Sequence, residues 1–189
     1  MIPPDQLLEG YVRGIFPMAM EDGEIAWFSP DPRAIIPLEG FHVPHGVGRA
    51  MAKSRFEVRI DCAFEEVMRG CADRADTWIG VHIIESYVEL HRLGYAHSVE
   101  SWLDGELAGG LYGVTIGGAF FGESMFHVQR DASNIALCAL VSRCRSHGYQ
   151  LLDTQWLTPH LVRFGAIEIP RAVYLDQLKS AVQLDCHFA

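Results

Sequence analysis

The sequence predicts an α+β fold: a mixed β-sheet with helices on its faces. Three features of the order of segments predict it. Strand-like segments are grouped in the middle of the chain, between residues 96 and 127. Helix-like periodicities lie on both sides of that group. A long helical pattern then separates the last grouped strand from a later short one, as in a crossover between strands of one sheet.

Each element has a local reason. Residues 5–13 follow Pro3-Pro4 and stop near Gly14, which reads as a short helix. Trp27-Phe28-Ser29-Pro30-Asp31-Pro32-Arg33 has two prolines around an aspartate, which predicts a rigid extended turn and no helix. Residues 51–60 read as a helix end leading into a strand over 56–60. Ile83, Ile84, Tyr87, Val88 and Leu90 form an apolar helical face that ends at Gly94. Ala96–Leu103 and Glu106–Ile116 alternate as strands around Asp104-Gly105, a tight hairpin turn, and Ala119–His127 continues as a third strand. Leu137, Leu140, Val141 and Cys144 repeat at i, i+3, i+4 and i+7, giving a core-facing helix up to Gly148. A short strand over 150–154 follows. Thr158-Pro159 supplies a cap and a first-turn proline for a helix that Gly165 ends. Residues 166–169 read as a strand and 172–182 as a last helix.

Composition narrows the function. The chain has 189 residues, enough to bury a core without disulfide or metal staples. No apolar run approaches the ~20 residues of a membrane span. The first ten residues have neither the basic nor the apolar stretch of a signal peptide, so a soluble cytoplasmic protein is expected. The net charge is -9, which repels nucleic acid at long range and argues against general DNA binding. A local patch remains: Arg49, Lys53, Arg55 and Arg59 lie within eleven residues, with one acid, Glu57. By spacing alone that run reads as a solvated helix–strand junction. Five cysteines without a C-x-x-C, and no His/Cys quartet, read as reduced, mostly buried thiols and no metal site.

Three stretches hold candidate chemistry. The aromatics of 27–33, with Asp31 and Arg33, suit either a flat phosphorylated ligand or a plug with an internal Asp–Arg pair. In Phe121-Gly122-Glu123-Ser124-Met125, alternation puts Phe121, Glu123 and Met125 on one face. Glu123 then needs a partner or a shifted pKa, whether its role is functional or structural. In Leu152-Asp153-Thr154-Gln155, Asp153 and Gln155 share one face where a strand meets a loop. The pattern alone reads them as partners of loop amides. No G-x-x-x-x-G-K-[ST], G-x-G-x-x-G or G-x-S-x-G occurs.

Seven ordered blocks between residues 11 and 174 carry a resemblance. They include Trp27-Phe28-Ser29-Pro30-Asp31-Pro32-Arg33, Thr77-Trp78-Ile79, Phe121-Gly122-Glu123-Ser124-Met125-Phe126 and Asp153-Thr154-Gln155. The sequence resembles the leucyl/phenylalanyl-tRNA–protein transferases. The resemblance implies a bacterial cytoplasmic enzyme that moves Leu, Phe or Met from aminoacyl-tRNA to proteins beginning with Arg or Lys, marking them for degradation. It implies a small N-terminal domain, 1–61, and a catalytic domain, 62–189, similar to the GCN5-related acetyltransferases. It implies no metal or nucleotide cofactor. By the same resemblance Asp153 and Gln155 handle the attacking amine, with Glu123 beside them. Trp27 stacks on the terminal adenosine, Trp78 lines the site, and Leu111, Phe120 and Leu152 form the side-chain pocket. Arg49, Lys53 and Arg55 become the candidates for the tRNA backbone. Two rivals remain. An acyl-CoA-dependent acetyltransferase would want a glycine where Gln129 to Asn134 has none. An adaptor for basic N-terminal peptides would bind without turnover.

Overall fold

The computed structural model of the protein describes residues 1–20, 22–53, 55–74 and 77–189. The chain starts with helix α1 (Pro4–Val12), whose first residue is proline, and leaves it through Gly14 at φ 72°. Strands β1 (Phe16–Ala19) and β2 (Ile25–Phe28) pair antiparallel as a two-stranded sheet. The rigid turn expected over 27–33 is therefore shorter than expected. Trp27 and Phe28 belong to β2, and Arg33 opens strand β3 (Arg33–Ile35). Helix α2 (His45–Ala52), strand β4 (Glu57–Ile60) and helices α3 (Phe64–Ala72) and α4 (Val81–Arg92) follow. Next come β5 (Ala96–Leu103), β6 (Glu106–Ile116), β7 (Ala119–His127), α5 (Ala132–Ser146) and β8 (Leu151–Gln155). The chain closes with α6 (Pro159–Val162), β9 (Ile167–Ile169) and α7 (Arg171–Ala181).

Seven strands form one sheet in the order β4-β5-β6-β7-β8-β3-β9. Every neighbouring pair is antiparallel except β7 and β8, which α5 joins as the expected crossover. This is the mixed sheet flanked by helices that the sequence predicts. Strands β3 and β4 precede residue 61 in sequence, yet both are strands of this sheet.

Alternation along the strands divides the core into two layers. Tyr112, Val114, Phe121 and Leu151 face α1, α3, α4 and α7. Val99, Leu111, Phe120 and Leu152 face α5, with Val47 from α2 and Phe188 from the C-terminal segment. Cys71, Cys138 and Cys144 are buried, and all five cysteines are free thiols.

Two irregularities create the site. First, β7 and β8 pair only over Ala119–Phe121 and Leu151–Asp153, and beyond that they part. From Gly122 on, β7 is paired on its β6 side alone, while β8 stays paired with β3 on its other edge. Second, the β6–β7 register jumps. Gly113 faces Gly122 and Tyr112 faces Ser124, so Glu123 is an extra residue, a β-bulge. The bulge corrects the simple alternation. Phe121 and Glu123 point toward α1, but Met125 packs in the α5 layer. Gly113 is required opposite the bulge, because a Cβ there would overlap the Phe121 carbonyl oxygen.

Candidate active site

The gap between β7 and β8 opens into a cavity of ≈ 480 Å³. Glu123 stands at its edge, aimed by the bulge. Tyr11 from α1 donates its hydroxyl to Glu123 Oε1 at 2.8 Å, and Tyr87 from α4 reaches Oε2 at 3.4 Å. The two tyrosine hydroxyls also bond each other. The side-chain amide of Gln155 donates to Glu123 Oε1 at 3.1 Å across the gap. Burial raises the Glu123 pKa to about 8; the Tyr11 bond opposes the rise, Asp153 adds to it and Arg33 offsets it. Burial also holds the Tyr11, Tyr87 and Tyr112 hydroxyls well above the usual phenol range, so all three stay protonated, Tyr11 and Tyr87 as donors to Glu123.

Behind Gln155 lies a buried ion pair. Arg33 donates twice to Asp153, Nε to Oδ1 at 2.9 Å and Nη2 to Oδ2 at 2.6 Å. The remaining Nη1 donates to the Gly14 carbonyl at 3.0 Å. The guanidinium is packed against the rings of Phe16 and Tyr174, 4.9 and 4.5 Å from their centroids. Tyr174 also donates its hydroxyl to Asp153 Oδ2 at 2.8 Å. Arg33 and Asp153 are 1% and 0% exposed, so neither reaches solvent or substrate directly. Burial works against the charge on Arg33, but its bond and attraction to Asp153 outweigh that and raise its pKa. Asp153 also accepts the Gln155 backbone N–H at 2.9 Å. That bond steadies Gln155 at φ 60°, an uncommon conformation for a residue other than glycine. The chain thus turns at Gln155 with its amide directed at Glu123. Both readings of Arg33 offered by the sequence are corrected. It holds no phosphate and does not pair with Asp31, which instead accepts from the Arg171 backbone N–H at 3.0 Å.

The structure gathers most of the expected residues. Glu123, Gln155, Trp78, Leu111 and Leu152 line the cavity. Phe120 lies fully buried in the layer beneath it, packed with Leu111 and Leu152. Trp27 does not line the cavity. On β2, Phe28 turns toward Trp156 while its neighbour Trp27 turns to the other side, where its ring covers Gly10 of α1. Arg49, Lys53 and Arg55 lie together on a separate depression of ≈ 390 Å³, joined there by Arg130 and Asp131 from the β7–α5 connection.

Several cavity residues escaped the sequence reading. Trp156 is 44% exposed at the mouth, set edge-on against Phe16 at 5.0 Å. Arg74, Tyr112, Thr154 and His160 also line the cavity. The i, i+3, i+4, i+7 pattern Phe64, Val67, Met68 and Cys71 would have found α3, the helix that leads to Arg74.

Comparison with known proteins fits this geometry. The model of the family described as leucyl/phenylalanyl-tRNA protein transferase matches residues 35–179, and that of its N-terminal domain matches residues 1–31. The chain belongs to this family. A protein from Herpetosiphon aurantiacus named leucyl/phenylalanyl-tRNA–protein transferase is 55% identical over 188 residues, 99% of this chain and 98% of that protein. One of the same name from Gloeobacter violaceus is 52% identical over 99% of this chain and 97% of its own length. Among solved structures, L-PGS from Bacillus licheniformis is similar in fold, with TM-score 0.51 and 10% identity. That match covers 80% of this chain and 65% of the other. Among the described residues, no helix is long and apolar enough to cross a membrane. The family boundary falls between residues 31 and 35, at the passage from the two-stranded sheet into β3.

Proposed function

We propose that the cavity between β7 and β8 joins an aminoacyl group, carried as an ester on tRNA, to the α-amine of a protein that begins with Arg or Lys. The donors are leucyl-, phenylalanyl- and methionyl-tRNA. The product begins with a residue that marks the protein for degradation. This donor chemistry supports a cytoplasmic location.

The orientation of the Gln155 amide carries the mechanistic reading. Its NH2 group is committed to Glu123, so its carbonyl oxygen is left for an incoming N–H donor. An attacking amine that donates to this oxygen is aimed at the ester carbon. The α-amine has a pKa of ~8, so much of the work is positioning. Glu123, with its own pKa raised to about 8, exchanges a proton near neutral pH. A cationic N-terminus favours its carboxylate form, which accepts one proton from the ammonium. The neutral amine then attacks, the tetrahedral oxyanion forms, and the bond to the ribose oxygen breaks. That oxygen takes the second proton given up by the amine. Asp153 is a positioning residue here. It acts through Gln155 and Arg33 without touching substrate.

The apolar lobe facing α5, with Leu111, Leu137, Leu140 and Leu152, takes the donor side chain. It admits long unbranched-at-Cβ side chains by shape. Trp78 and Trp156 flank the mouth, where the stacking on adenosine expected of Trp27 falls to them. Arg49, Lys53 and Arg55, now with Arg130, form a local cationic groove for the tRNA backbone on an acidic protein.

Transfer of labelled leucine from leucyl-tRNA to a short peptide beginning with Arg tests the reading, with the N-acetylated peptide as control. Label on the free-amine peptide alone is the expected result. No transfer from leucyl-, phenylalanyl- or methionyl-tRNA by folded protein overturns it.

A further inference from the structure

The cavity has two unlike polar ends. Alternation along β8 puts Asp153 and Gln155 on the face toward α1 and α4, where Glu123 lies. Leu152 and Thr154 fall on the opposite face, toward α5. His160 from α6 joins them there. Its ring rests obliquely on Phe164 at 5.4 Å, and Phe164 packs in the same layer as Leu137, Leu140 and Leu152. Among the described residues lining the cavity, three buried polar atoms have no hydrogen-bond partner: Tyr112 Oη on the Glu123 side, and Thr154 Oγ1 and His160 Nε2 together on the α5 side. Such atoms are uncommon in a native fold and cost free energy until something bonds them. Burial, with the charges of Arg163 and His127, lowers the His160 pKa and so favours the uncharged ring. Glu123 is the one carboxylate among the described residues lining the cavity, and it belongs to the other face.

The reaction brings two α-amines into one cavity. The acceptor's amine arrives as part of a cationic N-terminus and suits the carboxylate end. The donor's amine sits one carbon from the ester carbonyl and beside the donor side chain. With that side chain against Leu137, Leu140 and Leu152 and the carbonyl near Gln155, the amine falls beside Thr154, the residue before Gln155.

We propose that Thr154 and His160 seat the donor's own α-amino group, so that the site selects donors whose α-amine is present and free. This rests on the aminoacyl-transfer reading above. A hydroxyl and an imidazole hold the amine by hydrogen bonds, with no carboxylate beside it. They also keep it on the opposite face of the sheet from the proton acceptor, so donor and acceptor do not exchange roles.

The test compares three donors: leucyl-tRNA, N-acetylleucyl-tRNA, and 4-methylpentanoyl-tRNA, in which hydrogen replaces the amine. Each is offered to the wild-type protein and to Thr154→Val and His160→Phe, with melting curves to verify folding. Wild-type protein is expected to use N-acetylleucyl-tRNA at least tenfold less well than leucyl-tRNA in kcat/KM. The leucyl to 4-methylpentanoyl ratio is expected to fall at least fivefold in each variant. The inductive effect of the amine on the ester is the same in all proteins and cancels in that comparison. KM for the acceptor peptide is expected to stay unchanged. Equal use of the N-acetylated donor by wild-type protein, or an unchanged ratio in folded variants, overturns the proposal alone. Absence of any transfer from leucyl-tRNA overturns the aminoacyl-transfer reading, and this proposal with it.

Discussion

Gln155 gives its side-chain N–H to Glu123 at 3.1 Å across a gap between strands whose last paired residues, Phe121 and Asp153, lie two positions earlier. The contact joins the two irregular points of the sheet, the bulge at Glu123 and the left-handed turn at Gln155. A regular β7 would point its carboxylate elsewhere, and a regular β8 would carry Gln155 past it. The site exists because both strands depart from regularity at the same level.

The ion pair behind this contact should dominate local stability. Arg33 and Asp153 form two mutual bonds at 1% and 0% exposure. Removing one partner leaves the other charge buried and unpaired, which costs about 3–5 kcal/mol. Urea unfolding of Arg33→Ala and Asp153→Ala is expected to show a loss of that size in each. The double variant is expected to lose far less than the sum. Additive losses in the cycle would refute the coupling.

Glu123 gives stability a distinctive pH slope. Its pKa rises from an ordinary 4.5 to about 8 on folding, so between these values the native state holds a proton that the unfolded state has released. Stability from this group is therefore complete below about pH 4.5 and declines as pH rises toward 8. Glu123→Gln keeps an oxygen for Tyr11 and cannot titrate. Its melting temperature relative to wild type is expected to climb steadily from pH 5 to pH 8. A flat difference across that range contradicts the assignment. Tyr11→Phe removes a bond that lowers this pKa, so the pH–rate limb belonging to Glu123 is expected to move upward.

The cationic groove predicts a salt signature. Arg49, Lys53, Arg55 and Arg130 share one depression, although Arg130 is far from the others in sequence. Changing Lys53 or Arg130 to Ala is expected to weaken aminoacyl-tRNA binding and to reduce the log Kd–log salt slope by about 0.7–0.9 per charge lost. Filter binding from 50 to 300 mM salt, on the order used to resolve such slopes, reads this directly. The transfer rate at saturating donor is expected to stay near wild type, because these residues lie outside the cavity. An unchanged slope in both variants removes the groove from the tRNA path.

Much of this was legible in the sequence, for identifiable reasons. β5, β6 and β7 have period-two patterns and a turn dipeptide, and their bounds agree with the structure to the residue. The α5 face of Leu137, Leu140, Val141 and Cys144 is buried as its spacing requires. β1 and β2 were missed because four-residue, partly exposed strands carry little periodicity. α3 has no counterpart in the sequence reading although its apolar spacing is regular; it has no side-chain cap to announce it. At the site, Asp153 and Gln155 were rightly placed on one face, but what binds them was hidden. Arg33 lies 120 residues from Asp153, and Tyr11 lies 112 residues from Glu123, so no local pattern could pair them. The bulge is equally non-local, since it exists only as a mismatch between β6 and β7. The same limit explains Trp27, whose side is set by the pairing of β2 with β1 and not by its motif.

The most direct test is the single-turnover rate of leucine transfer in Gln155→Ala, measured with the Kd for leucyl-tRNA in the same protein. If the Gln155 carbonyl aims the attacking amine, the rate falls by about two to three orders of magnitude, the scale of losing one preorganised polar group at a reacting centre. The donor Kd then stays within about twofold, because ground-state binding rests on other residues. A rate close to wild type, or a loss confined to donor affinity, contradicts the central role given to Gln155.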